Sequence, residues 1–283
     1  MRKLLWIAAA ALIALLSFWA GLVMHFPGEA LSRYVESQVN RDPRALVRIA
    51  PAELGWTALR IPQIRVDGGL QAEPALLLAL TDTEIPLSWT LWDGLPLRAR
   101  LGQTGEAALF WPWAAGEASF SISQLRLESI PALAQLPAKR LQGAAELSGR
   151  VTLIPGAPPE GQVRGRIQGL EIGGMDLLGQ PVERTRIEEL RFQFALGPRL
   201  RIETFELQGD FQGNVAGTLT PNYSRPDSSN LDLQVNIGIR SEWIQQLGPF
   251  APVAESLLDG GKLSGTLRGT PARPTFRNAK TGF

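Results

Sequence analysis

The side chains that could make or break covalent bonds are few and poorly placed for it. The chain has one histidine, His25, and no cysteine. Without cysteine there is no thiolate nucleophile, no thiolate metal site and no disulfide framework. No Gly-x-Ser-x-Gly elbow is followed by a histidine, and no glycine-rich loop carries the Lys-Ser/Thr of a phosphate cradle. Aspartates and glutamates stand singly except for Glu188-Glu189. Neighbours on a strand point to opposite faces, so this pair reads as a solvated edge and not as an acid–base couple. His25 ends a long apolar run, where it reads as an interfacial polar residue. These residues predict no catalytic centre, no metal site and no cofactor.

What the sequence repeats instead is glycine at every fourth position. "GKLSGTLRG" runs from Gly261 to Gly269, "GDFQGNVAG" from Gly209 to Gly217 and "GQVRGRIQG" from Gly161 to Gly169. A looser copy, "LQGAAELSGRVTL", spans Leu141 to Leu153. Four is a multiple of the strand period of two, so the glycines of one copy share a sheet face. Between them on that face stand Val163 and Ile167, Phe211 and Val215, or Leu263 and Leu267; the other face carries residues such as Arg164, Arg166, Gln212 and Asn214. On a helix this spacing would scatter the polar residues all round, and so many glycines would be costly. The pattern predicts strands with an apolar face of alternating small and large residues. Glycine gaps suit a curved sheet, a face that something approaches closely, or room for side chains of an opposing sheet. The candidate binding surface is therefore an apolar groove face made of Val163, Ile167, Phe211, Gly213, Val215, Leu263, Gly265 and Leu267.

The elements that would hold this face are also one-sided. Leu190, Phe192, Phe194 and Leu196 fall on one face, as do Leu231, Leu233, Val235, Ile237 and Ile239 against Asp232, Gln234, Asn236 and Arg240. Such alternation marks antiparallel strands, polar outside and apolar inside. The 29 glycines and 21 prolines fit many turns between short strands. A weak duplication at an offset of 116 residues matches Leu141 with Leu257 and Leu147-Ser-Gly149 with Leu263-Ser-Gly265. A Pro-interrupted apolar segment precedes each copy, which suggests short helices closing an edge or end of the sheet in one packing mode used twice. Trp89, Trp92, Trp111 and Trp113 read first as space-filling residues at a packed sheet end, and second as an apolar docking patch for lipid or a partner. A net charge of +1 gives no electrostatic case for nucleic acid.

The N-terminus predicts a membrane anchor. After Arg2 and Lys3 the chain is apolar and uncharged from Leu4 to Met24, a run that includes Trp6, Leu15 and Trp19. As a helix it would span roughly 30 Å, the hydrocarbon thickness of a bilayer. A secretory signal peptide is the competing reading, but its apolar region is usually only about 7–15 residues. The basic tip places the N-terminus in the cytoplasm and the bulk of the chain across the membrane. The segment 28–45 follows, with Leu31, Tyr34, Val35 and Val39 at helical spacing. It reads as a short amphipathic helix that plugs one end of the sheet or lies on the membrane. The expected organisation is 1–27 tip and anchor, 28–45 helix or linker, 46–270 β domain and 271–283 tail, exposed strand end or mobile terminus.

A short basic tip, one membrane helix, a "FPGEAL" exit and then one-sided strands together resemble the N protein of the type II secretion system. The likeness extends to "IPLSWTLWDGLPLRARLGQTGEAAL" and to the closing "LDGGKLSGTLRGTPARPTF". These loose patterns of Gly, Leu and Pro are shared with the wider AsmA-like envelope proteins. The resemblance implies a mainly β fold, with a single N-terminal transmembrane helix followed by a curved, grooved antiparallel sheet and a few short helices. It implies a non-enzymatic, single-pass inner-membrane protein with its bulk in the periplasm, working with other secretion-system subunits. The AsmA-like likeness implies the alternative, a groove that binds or transfers lipid.

Overall fold

The computed structural model describes residues 13–14, 16–40, 45–68, 76–135, 140–154, 157–177, 180–222 and 228–279. The protein is mainly β, 62% strand in antiparallel sheet with a few short helices, so the alternating segments took the state their period predicts. The chain divides into two compact units, residues 1–100 and 101–283.

The first unit begins with α1, helical over 16–24. Among the described residues no helix is long and apolar enough to cross a membrane. Leu4, Trp6 and Leu15 of the expected anchor lie outside the described residues, while Trp19 and Met24 lie on α1. There follow α2 (Gly28–Val39), β1 (Ala45–Ile49), β2 (Glu53–Leu54), β3 (Ala58–Gly68), β4 (Leu76–Pro86) and β5 (Gly94–Leu101). The strand order is β1-β3-β4-β5, with β2 also paired to β3.

α2 docks by a face the apolar spacing does not indicate. Ser32 Oγ donates to the Ala50 carbonyl at 2.9 Å and accepts the Ala52 N–H at 3.1 Å. Glu36 accepts the Ile49 N–H, and Asn40 both donates to the Val47 carbonyl and accepts its N–H, at 2.8 and 2.6 Å. Ser32, Glu36 and Asn40 are four apart and so form one stripe. β1 ends the strand order, and its outer edge presents unpaired N–H and C=O groups that need partners. The polar stripe supplies them, and Tyr34, Val35 and Val39 are left exposed. The helix covers a sheet edge; it does not plug a sheet end with its apolar residues.

The second unit is a run of neighbouring antiparallel strands in chain order. They are β6 (Gly105–Pro112), β7 (Gly116–Arg126), β8 (Arg140–Leu153), β9 (Glu160–Leu177), β10 (Gln180–Leu196), β11 (Leu200–Gly209), β12 (Phe211–Thr220), β13 (Asn230–Ile239), β14 (Lys262–Thr270) and β15 (Arg273–Asn278). β15 lies in the tail segment 271–283, expected to be an exposed strand end or a mobile terminus. Two helical inserts interrupt the strands: 3-10 turns at Leu127–Ser129 and Pro131–Gln135, and then α3 (Ser241–Gln245), a 3-10 turn and α4 (Ala251–Leu257). They precede β8 and β14, as the duplicated Pro-interrupted segments suggest. Leu127 joins Leu170, Ile187 and Leu207 in the buried core, with Ile130 and Leu133 packed against them. From the second insert, Trp243 meets the Phe211 ring edge-on at 4.7 Å and donates its indole N–H to Thr185 Oγ1 at 2.9 Å. Both inserts thus cover the same end of the apolar face.

The tryptophans do not fill a packed sheet end. Trp89 and Trp92, on a 3-10 turn of the first unit, are 84% and 80% exposed, and Trp111 and Trp113 of the second unit are exposed as well. A turn and a hairpin tip offer no opposing layer for an indole to pack against.

Candidate functional site

Strand pairing brings the candidate groove residues onto one continuous face of the second unit. One rung runs Ala145, Ile167, Leu190, Leu207, Gly213, Ile237, Leu263 across β8 to β14. A second runs Gly149, Val163, Phe194, Ile202, Gly217, Leu233, Leu267 and on to Phe276 of β15. Between these rungs Val215 pairs with Val235, and Val235 with Gly265. Phe211 lies beyond the first rung, under Trp243. The helical inserts pack on the first rung and past it, where Leu170, Ile187 and Leu207 are buried. Val163, Val215, Leu233 and Leu267 are only half-buried.

Most of the glycine gaps are closed by the protein itself, in two ways. A Cβ built on Gly165 would lie 2.2 Å from the Phe192 ring, on Gly149 2.5 Å from Phe120, and on Gly265 2.6 Å from Phe276. Each phenyl ring comes from a neighbouring strand and lies over the bare backbone, so that glycine and aromatic residue together make one filled position, although at Gly265 the Arg277 carbonyl oxygen comes closer still, at 2.4 Å. Phe120 and Phe192 are direct cross-strand partners of their glycines, Phe276 a diagonal one. Gly213 differs: its φ is +156°, and a Cβ would lie 2.0 Å from the Asn236 carbonyl oxygen. Only glycine lets β12 run that close to β13. The three phenylalanines were not among the expected site residues. Their signal was faint in the chain, since a ring finds its glycine only once the register is set.

Gly169 belongs to neither class. Nothing would meet its Cβ within 4 Å, and its φ of +59° is left-handed. Here the alternation slips, so that Ile167 and Leu170 on β9, three apart, both join the apolar cluster, as do Ile187 and Leu190 on β10. The ladder to β11 shifts at the same point, between Ile187 and Glu189. Glu188 and Glu189, expected on opposite faces, stand at this slip and have different ion-pair partners. Glu189 is ion-paired with Arg191 at 2.8 Å and with Arg166, and Glu188 lies 3.7 Å from Arg240. The hydrogen bond from Arg191 holds the Glu189 carboxyl below its ordinary range against the opposing pull of desolvation, helped by Arg166. A carboxylate so held is an ion-pair partner and a poor proton acceptor.

The opposite, polar face carries two adjoining hollows of about 660 and 570 Å³. Both are lined by Ser121, Ser148, Arg164 and Gln193, and Arg164 Nε donates to Ser148 Oγ at 3.0 Å. Among the described residues no group of three His, Asp or Glu is placed to hold a metal ion. The two faces thus offer different chemistry: a hydrogen-bonding surface rich in arginine, and an apolar surface that, Leu207 apart, is half-buried along both rungs.

Comparison with protein-family models, with characterised proteins and with solved structures finds no match to this chain.

Proposed function

We propose that this chain is a non-enzymatic, inner-membrane-anchored envelope protein that works by contact through the half-buried apolar face of its second unit. Its role is that of an N-protein-like periplasmic component of a type II secretion system. The observation that supports contact is that Val163, Leu233 and Leu267 of the second rung are half-buried and stand outside the apolar cluster on which the first insert packs. A contiguous apolar surface left open in this way usually meets a partner. The secretion role itself comes from the sequence resemblance, as does the anchor formed by the run from Leu4 to Met24.

The second reading is a lipid-binding or lipid-transfer groove. It too is favoured by the open rung, since acyl chains need only apolar contact. The phenyl rings over Gly149, Gly165 and Gly265 weigh against it, because they occupy the gaps an acyl chain would enter. A photoreactive amino acid at Val215 or Leu267 in intact cells separates the two. Adducts with other secretion subunits are expected. Adducts with lipid alone would replace the first reading with the second, and adducts with neither would remove the face from both.

A further inference from the structure

We propose that three exposed tryptophans at one end of the first unit, Trp56, Trp89 and Trp92, rest in the interfacial layer of the bilayer that holds the N-terminal anchor. The inference depends on the anchor reading above. α1 passes into α2 at Gly28, where a Cβ would stand 1.7 Å from the Ala52 carbonyl oxygen. The exit of the anchor is therefore pinned against Ala52. The chain then forms β2, whose Leu54 pairs with Leu59 of β3, and Trp56 sits in the turn between these strands. At the same end Ala58 of β3 pairs with Pro86 of β4, and the Leu87 N–H donates to the Thr57 carbonyl at 2.8 Å. The 3-10 turn Trp89–Trp92 follows directly. Gly28, Trp56 and that turn thus share one end of the unit's strands.

Trp56 is 59% exposed, Trp89 84% and Trp92 80%, and no other tryptophan occurs between residues 28 and 100. An indole has a large apolar body and a single N–H donor, and it is most at home between acyl chains and water. Three bare indoles beside a membrane entry point match that layer. The nearby charges do not suggest an electrostatic origin. Glu53 and Asp93 are acidic, and Arg60 is held by Glu84 at 2.9 Å. Contact should therefore be as good on zwitterionic as on anionic lipid, and little affected by salt.

The absence of cysteine makes the test direct. Thr90→Cys and Gln38→Cys each create one spin-label site in the full-length chain, at exposed positions of the 3-10 turn and of the far end of α2. The labelled proteins are reconstituted in vesicles of phosphatidylcholine, alone or mixed with phosphatidylglycerol. The label at 90 should collide several-fold more often with oxygen than with a water-soluble nickel chelate, and the label at 38 the reverse, in both lipids. Adding Trp89→Ser and Trp92→Ser should move the label at 90 towards water. An aqueous profile at 90, or contact only with phosphatidylglycerol present, overturns the proposal. Alkaline extraction of the same vesicles tests the anchor by itself. Protein that resists extraction while its label at 90 is aqueous keeps the anchor and loses the tryptophan contact; protein that is stripped off loses the anchor reading.

Discussion

At the scale of single residues, the glycines differ in kind although they share one spacing. At Gly213 a side chain would strike the Asn236 carbonyl and demand a backbone conformation that L residues rarely adopt. Gly213→Ala is expected to cost about 1–3 kcal/mol, the usual price of a strained backbone position. Gly197→Ala is the control, since its Cβ would meet nothing closer than 3.7 Å, and it should leave the denaturant midpoint nearly unchanged. Equal midpoints for the two variants would show that close approach at Gly213 is not what selects glycine there. Glu189 makes a prediction about acid. Its folded carboxyl is held below the ordinary value of 4.5, so its contribution is present above that value and is lost as pH falls through the lowered one. Melts of the wild type and of Glu189→Gln should therefore differ most above pH 4.5 and converge in stronger acid. A difference that stays constant to the lowest pH would mean that the arginines do not favour the charged form.

At the scale of elements, the inserts hold their end of the face by a mixture of apolar packing and one specific hydrogen bond. Thr185 is buried, and its hydroxyl is taken by the Trp243 indole N–H. Trp243→Phe keeps an aromatic ring against Phe211 and removes the donor. It is expected to destabilise by about 1–3 kcal/mol, the cost of a buried polar group left unpaired. Adding Thr185→Val removes the orphaned hydroxyl as well and should recover part of the loss. If the double variant melts no higher than Trp243→Phe alone, ring size and not the hydrogen bond secures the insert. The same logic explains α2. A strand edge with free N–H and C=O groups selects a helix face that offers Ser32, Glu36 and Asn40, even where an apolar stripe lies elsewhere on the helix.

At the scale of the whole molecule, the testable property is sidedness. In the proposed orientation, with the basic tip inside, protease added to spheroplasts of cells making the full chain should degrade residues beyond about 28. Full protection in intact spheroplasts, with digestion only after detergent, would put both units on the cytoplasmic side. It would then exclude the proposed contact with periplasmic secretion subunits.

The sequence by itself determined that most of the chain is strand and, away from the slip near Gly169, which residues share a face. Period two leaves little choice: a one-residue slip would turn Leu231, Leu233, Val235 and Ile237 to water and Asp232, Gln234 and Asn236 inward. It also placed the short helical inserts before β8 and β14 through their prolines and apolar runs. Tertiary structure alone decided the rest. It decided what closes the gaps at Gly149, Gly165 and Gly265, because the covering ring belongs to another strand and its position depends on register. It decided which face of α2 is buried, because the hydrogen-bonding needs of β1 are invisible in the helix's own spacing. It decided the partners of Glu188 and Glu189, because the slip near Gly169 appears only when β9, β10 and β11 are laid side by side. And it left Trp56, Trp89 and Trp92 bare at the end where α1 enters, because burial depends on what packs opposite a residue and not on how apolar that residue is.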